Sequence, residues 1–296
     1  MTAHRTHLET LDGLVDSGER RDPSSEAARL RVGSKVQDLT EPDSAGLHRV
    51  SPGEILGGKY RLVSALGEGG MGSVWLADYE DLDIKVAIKL IRADLKGVPA
   101  AKLSQRMQQE ARATAKIGHP AIVRIMDVGV TAAGDAFCVM ELLEGQDLGV
   151  FLEERGRLNA AKAVQVLLPV AHALSLAHEK GIVHRDLKPE NIFLAKNADG
   201  TLQPKLIDFG IAKIESPKGN DRITQGGTLL GSPAYMSPEQ GRGKDVDLRG
   251  DIWAFCVALY EVVSGRHPFV GENYHALLRS IIEDPAVPLP SLGVGD

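Results

Sequence analysis

Gly67-Glu68-Gly69-Gly70-Met71-Gly72-Ser73-Val74 follows a G-x-G-x-x-G-x-V pattern. Glycines let a backbone approach phosphate oxygens and offer N–H groups free of side-chain obstruction. The pattern is shared with dinucleotide-binding turns, in which a helix follows the glycines. Here Val74-Trp75-Leu76-Ala77 continues as a strand, which predicts a hairpin lid over phosphates instead of a helix N-terminus. One strand later, Val86-Ala87-Ile88-Lys89 sets a lysine among apolar residues. A lysine in such a strand commonly faces solvent, but its nearness to the glycine hairpin favours an anion as its target. It needs a carboxylate to hold it, and Glu110 on the following helix is the expected partner. Read alone, Glu110 is a solvated helix residue.

The densest chemistry lies in His184-Arg185-Asp186-Leu187-Lys188-Pro189-Glu190-Asn191, where a carboxylate, an ammonium and an amide share eight positions. Asp208-Phe209-Gly210 follows 22 positions after Asp186, between an apolar strand (Lys205–Ile207) and a long polar segment. That segment closes with Gly231-Ser232-Pro233-Ala234-Tyr235-Met236-Ser237-Pro238-Glu239. In order and spacing these motifs resemble the protein kinases: an H-R-D-L-x-x-x-N catalytic loop, D-F-G, and an A-P-E closure with Ser237 in place of Ala. The resemblance runs from Tyr60 to the end, roughly four-fifths of the chain. Its phrasing (LGEGGMGSVW, HPAIV, HRDLKPENI, DFGIAK, GSPAYMSPEQ) looks most like bacterial Ser/Thr kinases of the eukaryotic type.

The resemblance implies an α+β, two-lobed protein kinase-like fold, with ATP and Mg²⁺ as cofactors and protein Ser/Thr hydroxyls as acceptors. By the same likeness Asp186 is the catalytic base, Asn191 and Asp208 ligate Mg²⁺, and Lys89, held by Glu110, contacts the α/β-phosphates. Gly67, Glu68, Gly69, Gly70, Met71, Gly72, Val74 and Ala87 match the nucleotide-binding positions. Met140-Glu141-Leu142-Leu143 matches the gatekeeper and hinge, with backbone at Glu141 and Leu143 bonding adenine. Asp147 falls where an acidic residue meets the ribose hydroxyls, and a helix N-cap explains it equally well. Lys188, with Pro189-Glu190, resembles the Ser/Thr branch, in which this lysine steadies the transferring phosphoryl; Ser232 matches the residue tying the substrate-binding loop to Asp186 and Lys188. Arg185 before Asp186 accompanies control by activation-loop phosphorylation, for which Thr224 and Thr228 are the candidates. The implied partners are protein substrates and a second copy in a homodimer for trans-autophosphorylation.

The elements that must position these residues can be read from the remaining pattern. The 296 residues hold 43% hydrophobic and 25% charged residues, the ordinary globular range. A net charge of -6 gives no basic footprint for nucleic acid. Two cysteines, Cys138 and Cys256, both in apolar runs, cannot build a disulfide framework; both are expected to be small buried hydrophobes in a reducing compartment. No segment reaches the roughly 18 uninterrupted apolar residues of a membrane span, and the N-terminus lacks the pattern of a secretory signal. The chain therefore reads as cytoplasmic, with a membrane anchor beyond Asp296 left open.

Residues 1–57, polar and without sustained period, read as a weakly ordered leader, with a transient helix near Glu26–Val32. A kinase domain over 58–296 divides into a β-rich N-lobe (58–143) and a helical C-lobe (144–296). Strands are expected at Tyr60–Leu66, Val74–Asp78, Lys85–Ile91, Ile122–Val128 and Ala136–Glu141, and a helix at Ala101–Ile117 stopped by Gly118-His119-Pro120. A long helix over Ala160–Lys180 is expected to set Val164, Leu167, Leu168, Ala171, Leu174 and Leu176 along one face, with Pro169 kinking it. Asp251–Ser264, apolar almost all round, is expected to be buried in the middle of the C-lobe. Cys256 stands where the family's D-x-W-x-x-G helix has Gly, and Asp251 matches the residue that holds the catalytic-loop backbone. The chain stops short of the last two helices usual in the family, so the C-lobe reads as truncated. Two rivals are a nucleotide-binding scaffold without catalysis and a small-molecule kinase. Lys89, Asp186, Asn191 and Asp208 argue against the first, and the long segment Ile211–Glu239 against the second.

Overall fold

A computed structural model describes residues 50–69, 72–91, 100–209 and 233–289. Chain contacts divide these into two units, one of residues 50–118 and 123–144, the other of 119–122 and 145–289.

The first unit is a six-stranded antiparallel sheet with one helix. Its strands are β1 (Ile55–Leu56), β2 (Tyr60–Gly69), β3 (Gly72–Tyr79), β4 (Ile84–Ile91), β5 (Ile125–Val130) and β6 (Ala136–Glu141), in the order β1-β2-β3-β4-β6-β5. The helix, α1 (Ala100–Ala115), packs against β5 and β6. Strand alternation sorts the side chains. Tyr60, Leu62, Trp75, Ala77, Val86, Ile88, Leu90, Phe137 and Val139 form the core on one face. Ala87, Lys89 and Ile91 therefore point to the opposite face of β4. Both faces are covered, which is why β4 reads as a continuous apolar run interrupted by a single lysine.

The second unit is mainly helical. It holds β7 (Gly145–Asp147), α2 (Leu148–Arg155), α3 (Ala160–Glu179), β8 (Ile192–Lys196), β9 (Leu202–Leu206), α4 (Pro238–Gly241), α5 (Leu248–Ser264) and α6 (Tyr274–Glu283). A small antiparallel sheet, β7-β8-β9, frames the catalytic-loop region. Pro204 sits on the edge strand β9, where a missing N–H is tolerated. Helix α3 is capped by Asn159, whose side chain accepts from Lys162 N, and runs unbroken through Pro169. Among the described residues it alone is long and apolar enough to cross a membrane by length and composition. Its buried face (Ala163, Val166, Leu167, Val170, Ala173, Leu174, Ala177) marks it as a core helix, packed on α5 and β9.

Several expectations are corrected. The apolar face of α3 is rotated from the expected one: Val164 and Leu168 are 55% and 63% exposed. An alanine-rich helix offers two overlapping apolar stripes, and packing selects the one with the smaller residues. Helix α5 is not buried all round, since Leu248 and Ile252 are exposed and so is Cys256. Cys138, by contrast, is fully buried. Ile122 does not open β5; it belongs to the second unit, where it bridges Leu206 of the small sheet, and β5 begins at Ile125.

Candidate active site

The glycine hairpin is the β2–β3 turn, with Gly67 opposite Val74, Glu68 opposite Ser73 and Gly69 opposite Gly72. Gly70 and Met71 lie outside the described residues. Gly72 has φ +149°, and a Cβ there would lie 1.8 Å from the Leu90 carbonyl oxygen, so no larger residue fits. Register carries the remaining nucleotide candidates to one face. Lys89 lies opposite Val74 on one side and Cys138 on the other, and Ala87 opposite Met140. Opposed residues of an antiparallel pair project to the same side, so Val74, Ala87, Lys89 and Met140 share the sheet face away from the core. Lys89 is only 8% exposed, unusual for a lysine without function in a β-strand. Glu110 is on α1, half-buried. At Glu141 the N–H donates to the Arg124 carbonyl, and the carboxylate accepts from Arg124 N at 2.7 Å. The end of β6 at Glu141, two residues before Leu143, is thereby pinned.

In the second unit one buried carboxylate organises the catalytic loop. Asp251 on α5 is 1% exposed. Its Oδ2 accepts from His184 N (2.7 Å) and from His178 Nε2 (2.8 Å), and its Oδ1 from Arg185 N (2.7 Å). A charged acceptor serving three donors is worth more than three neutral bonds. It holds Arg185 at φ 64°, a conformation that costs a non-glycine residue on the order of 1 kcal/mol. His184 is fully buried, and burial drives its imidazole below the usual range against the pull of Asp251. Its two contacts fit the neutral ring: Nε2–H donates to the Ile207 carbonyl (3.1 Å), while Nδ1 accepts from Asp186 N (3.3 Å). Its ring also packs on Phe209, centroids 4.7 Å apart.

Asp186 is fixed from the far end of the loop. Asn191, on the turn Pro189–Asn191, donates from Nδ2 to the Asp186 carbonyl (2.6 Å) and to Asp186 Oδ2 (3.2 Å). Ile207 N in turn donates to Asn191 O (3.0 Å), which ties the Asp208 segment to the loop. Asp208 has φ 62°, the second strained non-glycine residue of the site. Asp186 and Lys188 border a pocket completed by Met236, Gln240 and Ala254. The sequence thus brings Asp186, Lys188, Asn191 and Arg185 together on one loop, with Asp208 tied to it. Asp147 caps α2, its Oδ1 accepting from Val150 N (2.9 Å), and is 1% exposed. Thr224, Thr228 and Ser232 lie outside the described residues.

Residues 60–289 match the protein kinase domain family. The chain belongs to the protein kinase family. Among curated proteins it is 42% identical over 248 residues to the serine/threonine-protein kinase pkn2 of Myxococcus xanthus, covering 81% of this chain and 29% of that protein. It is 37% identical over 242 residues to the serine/threonine-protein kinase PknA of Mycobacterium tuberculosis, covering 80% of this chain and 54% of that one. A second M. xanthus protein, serine/threonine-protein kinase pkn3, is 37% identical over 238 residues, covering 80% of this chain and 43% of its own length. The chain therefore spans between about a third and a half of the curated relatives it matches.

Three residues that contribute to the kinase site escape the sequence reading. His178 is the third donor to Asp251, 73 positions away, and nothing local distinguishes it from any polar residue near a helix end. Tyr235 donates to Glu261 at 2.5 Å and stacks edge-on against His267; burial first, then Glu261, drives its hydroxyl pKa up. Ser237, the departure from Ala in the closing motif, forms a capping box: Ser237 N donates to Gln240 Oε1 (2.8 Å) and Gln240 N to Ser237 Oγ (3.4 Å). The S-x-x-Q spacing was a readable signal for it.

Proposed function

We propose that this chain transfers the γ-phosphoryl of Mg-ATP to Ser or Thr hydroxyls of protein substrates. The observation carrying the proposal is the fixed geometry of Asp186, held at its carbonyl and carboxylate by Asn191 and backed by the Asp251 anchor. Asp186 orients the acceptor hydroxyl and takes its proton as the oxygen attacks the γ-phosphorus and the bond to the β-phosphate oxygen breaks. Lys188, bordering the same pocket, offsets the charge on the transferring group.

The donor set suits Mg²⁺. Asn191, whose amide nitrogen bonds Asp186, would hold the ion through its amide oxygen, and Asp208 through a carboxylate oxygen. Mg²⁺ usually takes one or two protein oxygens and completes its shell with phosphates and water. When bound, the ion neutralises phosphate charge. Lys89, held by Glu110, takes the α/β-phosphates, the 67–72 hairpin with Val74 and Ala87 encloses them, and backbone at Glu141 and Leu143 beside Met140 takes adenine. Asp147 serves α2 as its cap, and any contact with ribose is secondary to that role.

Thr224 and Thr228 are proposed autophosphorylation sites, made in trans by a second copy, with Arg185 receiving the phosphate. Unchanged activity and phosphate content in a Thr224→Ala, Thr228→Ala double variant would sink that part. The main test is label transfer from γ-labelled ATP to a generic protein by wild type and Asp186→Asn, with ATP binding measured alongside. Label from the wild type alone supports phosphoryl transfer. Tight ATP binding with no transfer by either protein overturns it in favour of a scaffold.

A further inference from the structure

Ser264-Gly265-Arg266-His267-Pro268-Phe269 leaves α5 through a well-bonded turn. Gly265 is left-handed (φ 70°), and its N–H donates to the Glu261 carbonyl at 2.7 Å, a common use of glycine past a helix end. Ser264 Oγ donates to the Arg266 carbonyl (2.9 Å) and accepts from Arg266 N (3.1 Å). Beyond the turn, Phe269 stacks on Trp253 with centroids 5.6 Å apart. The backbone that carries His267 is therefore fixed on both sides. The ring itself is less well served. Its Nδ1 is buried without a hydrogen-bond partner, and its Nε2 lies 3.5 Å from Glu261 Oε1, beyond a good hydrogen bond. It meets Tyr235 edge-on, centroids 5.3 Å apart, and the Tyr235 hydroxyl donates to the other oxygen of the same carboxylate, Oε2.

We propose that His267 is a proton-operated positioning residue: once charged, it closes on Glu261 and locks that carboxylate onto Tyr235, fixing the turn beside the catalytic loop. The inference rests on the kinase reading, because Tyr235 borders the same pocket as Asp186 and Lys188. At 3.5 Å the spacing fits an unprotonated Nε2 facing an oxygen, two acceptors with no proton between them. An added proton supplies Nε2–H, and the gap closes by about 0.7 Å to a charge-assisted bond of about 2.8 Å. Burial first, and then Glu261, raise the Tyr235 hydroxyl above its ordinary value, so it stays a donor throughout. Histidine is the side chain whose charge changes between about pH 5 and 8. The other charged groups around the cluster are engaged or turned to water: Arg266 is exposed, Arg279 of α6 bonds Glu283, and His275 of α6 packs on Tyr274. Glu190, from the catalytic loop, acts on Tyr235 in the same sense as Glu261. The side chains of His267 and Glu261 are 35% and 19% exposed, and ion pairs near solvent change an equilibrium by at most about fivefold. The expected effect is about threefold.

Two measurements test the contact and the role separately. In urea unfolding of the 296-residue chain, a double-mutant cycle of His267→Gln and Glu261→Gln should show a coupling of about threefold in the folding equilibrium at pH 6 and none at pH 8. In steady-state transfer to a Ser peptide free of His, Asp and Glu, the wild-type KM for the peptide should be about threefold lower at pH 6 than at pH 8, and KM for ATP should not follow it. His267→Gln should make the peptide KM flat with pH, and His267→Lys, charged at both values, should keep the low KM at pH 8. Coupling equal at the two pH values, or absent from both, overturns the proposal whether or not phosphoryl is transferred. Coupling confined to pH 6 with a wild-type peptide KM flat in pH overturns it too, and leaves the pair a structural contact. Coupling confined to pH 6 in a chain that transfers nothing overturns the kinase reading, and the positioning role with it.

Discussion

Asp251→Asn changes one atom of a buried carboxylate and leaves its volume intact, so its effect isolates the charge and the acceptor geometry. In the wild type three donors converge on the two oxygens. The amide keeps one oxygen, weakens the bonds it retains from charge-assisted to neutral, and turns an N–H toward a buried donor. Charge-assisted bonds contribute about 1.5–3 kcal/mol against about 0.5–1.5 for neutral ones, and an unsatisfied buried donor costs about 1–3. The sum is a loss of about 3–5 kcal/mol, the range found when a buried charged partner is removed. For a domain of this size that lowers Tm by roughly 6–20 °C. Because the two backbone donors belong to the residues just before Asp186, the loop loses its fixed geometry as well. A displacement of about 1 Å in a catalytic group costs on the order of 10²-fold in rate, so kcat should fall further than KM for ATP rises. Thermal unfolding and steady-state phosphoryl transfer measure both. A variant with wild-type Tm and kcat would refute the claim that Asp251 organises the site.

Gly72→Ala should lower stability by at least about 2 kcal/mol and raise KM for ATP, since strained backbone alone costs on the order of 1–3 kcal/mol and the new Cβ meets the Leu90 carbonyl. Urea unfolding and a KM equal to wild type would contradict it. Ser237→Ala should cost about 1 kcal/mol through the lost α4 cap, a loss rescued by Thr and visible in the urea midpoint. Stability should decline on acidification below about pH 6.5, the unfolded histidine value. His184 is held below that value by burial, and His119 by burial and then by the neighbouring His172. The unfolded chain therefore takes up protons that the folded chain refuses, and above that pH neither state does. His119→Asn, which keeps an acceptor for Ala121 N, should flatten part of the slope between pH 7.5 and 5.5; an unchanged slope would show that His119 does not contribute.

The site was legible where chemistry is packed into contiguous sequence. His184 to Asn191 forms one loop whose internal bonds follow from its own spacing, and the glycine hairpin and Lys89 lie on consecutive strands whose register is fixed by a tight turn. Of the contacts joining distant positions, the hold of Asp251 on the catalytic-loop backbone was legible through the family resemblance and is borne out, whereas its bond with His178 was not: the two lie on different helices, and no local pattern pairs them. Short strands escaped for a different reason. β7 has three residues and gives no period to read, and β9 contains Pro204, so only its end was expected as a strand, at Lys205–Ile207. In α3 and α5 the apolar residues nearly encircle the helix, and composition then cannot tell the face that packs from the face that does not. That ambiguity produced the misplacement of Val164 and Leu168 and the burial expected of Cys256. Asp147 shows the opposite case, since two readings fitted one residue and the backbone geometry of α2 gives it the role of cap.

The central claim is that Asp186, held by Asn191 and the Asp251 anchor, drives transfer to an aliphatic hydroxyl. Single-turnover transfer from γ-labelled ATP, followed by phosphoamino-acid analysis, tests it most directly. The wild type should place label on Ser or Thr, and Asp186→Asn should slow the transfer by about 10²–10⁴-fold, the range of a lost general base. Equal rates in the two proteins, or label recovered on Tyr, would contradict the account.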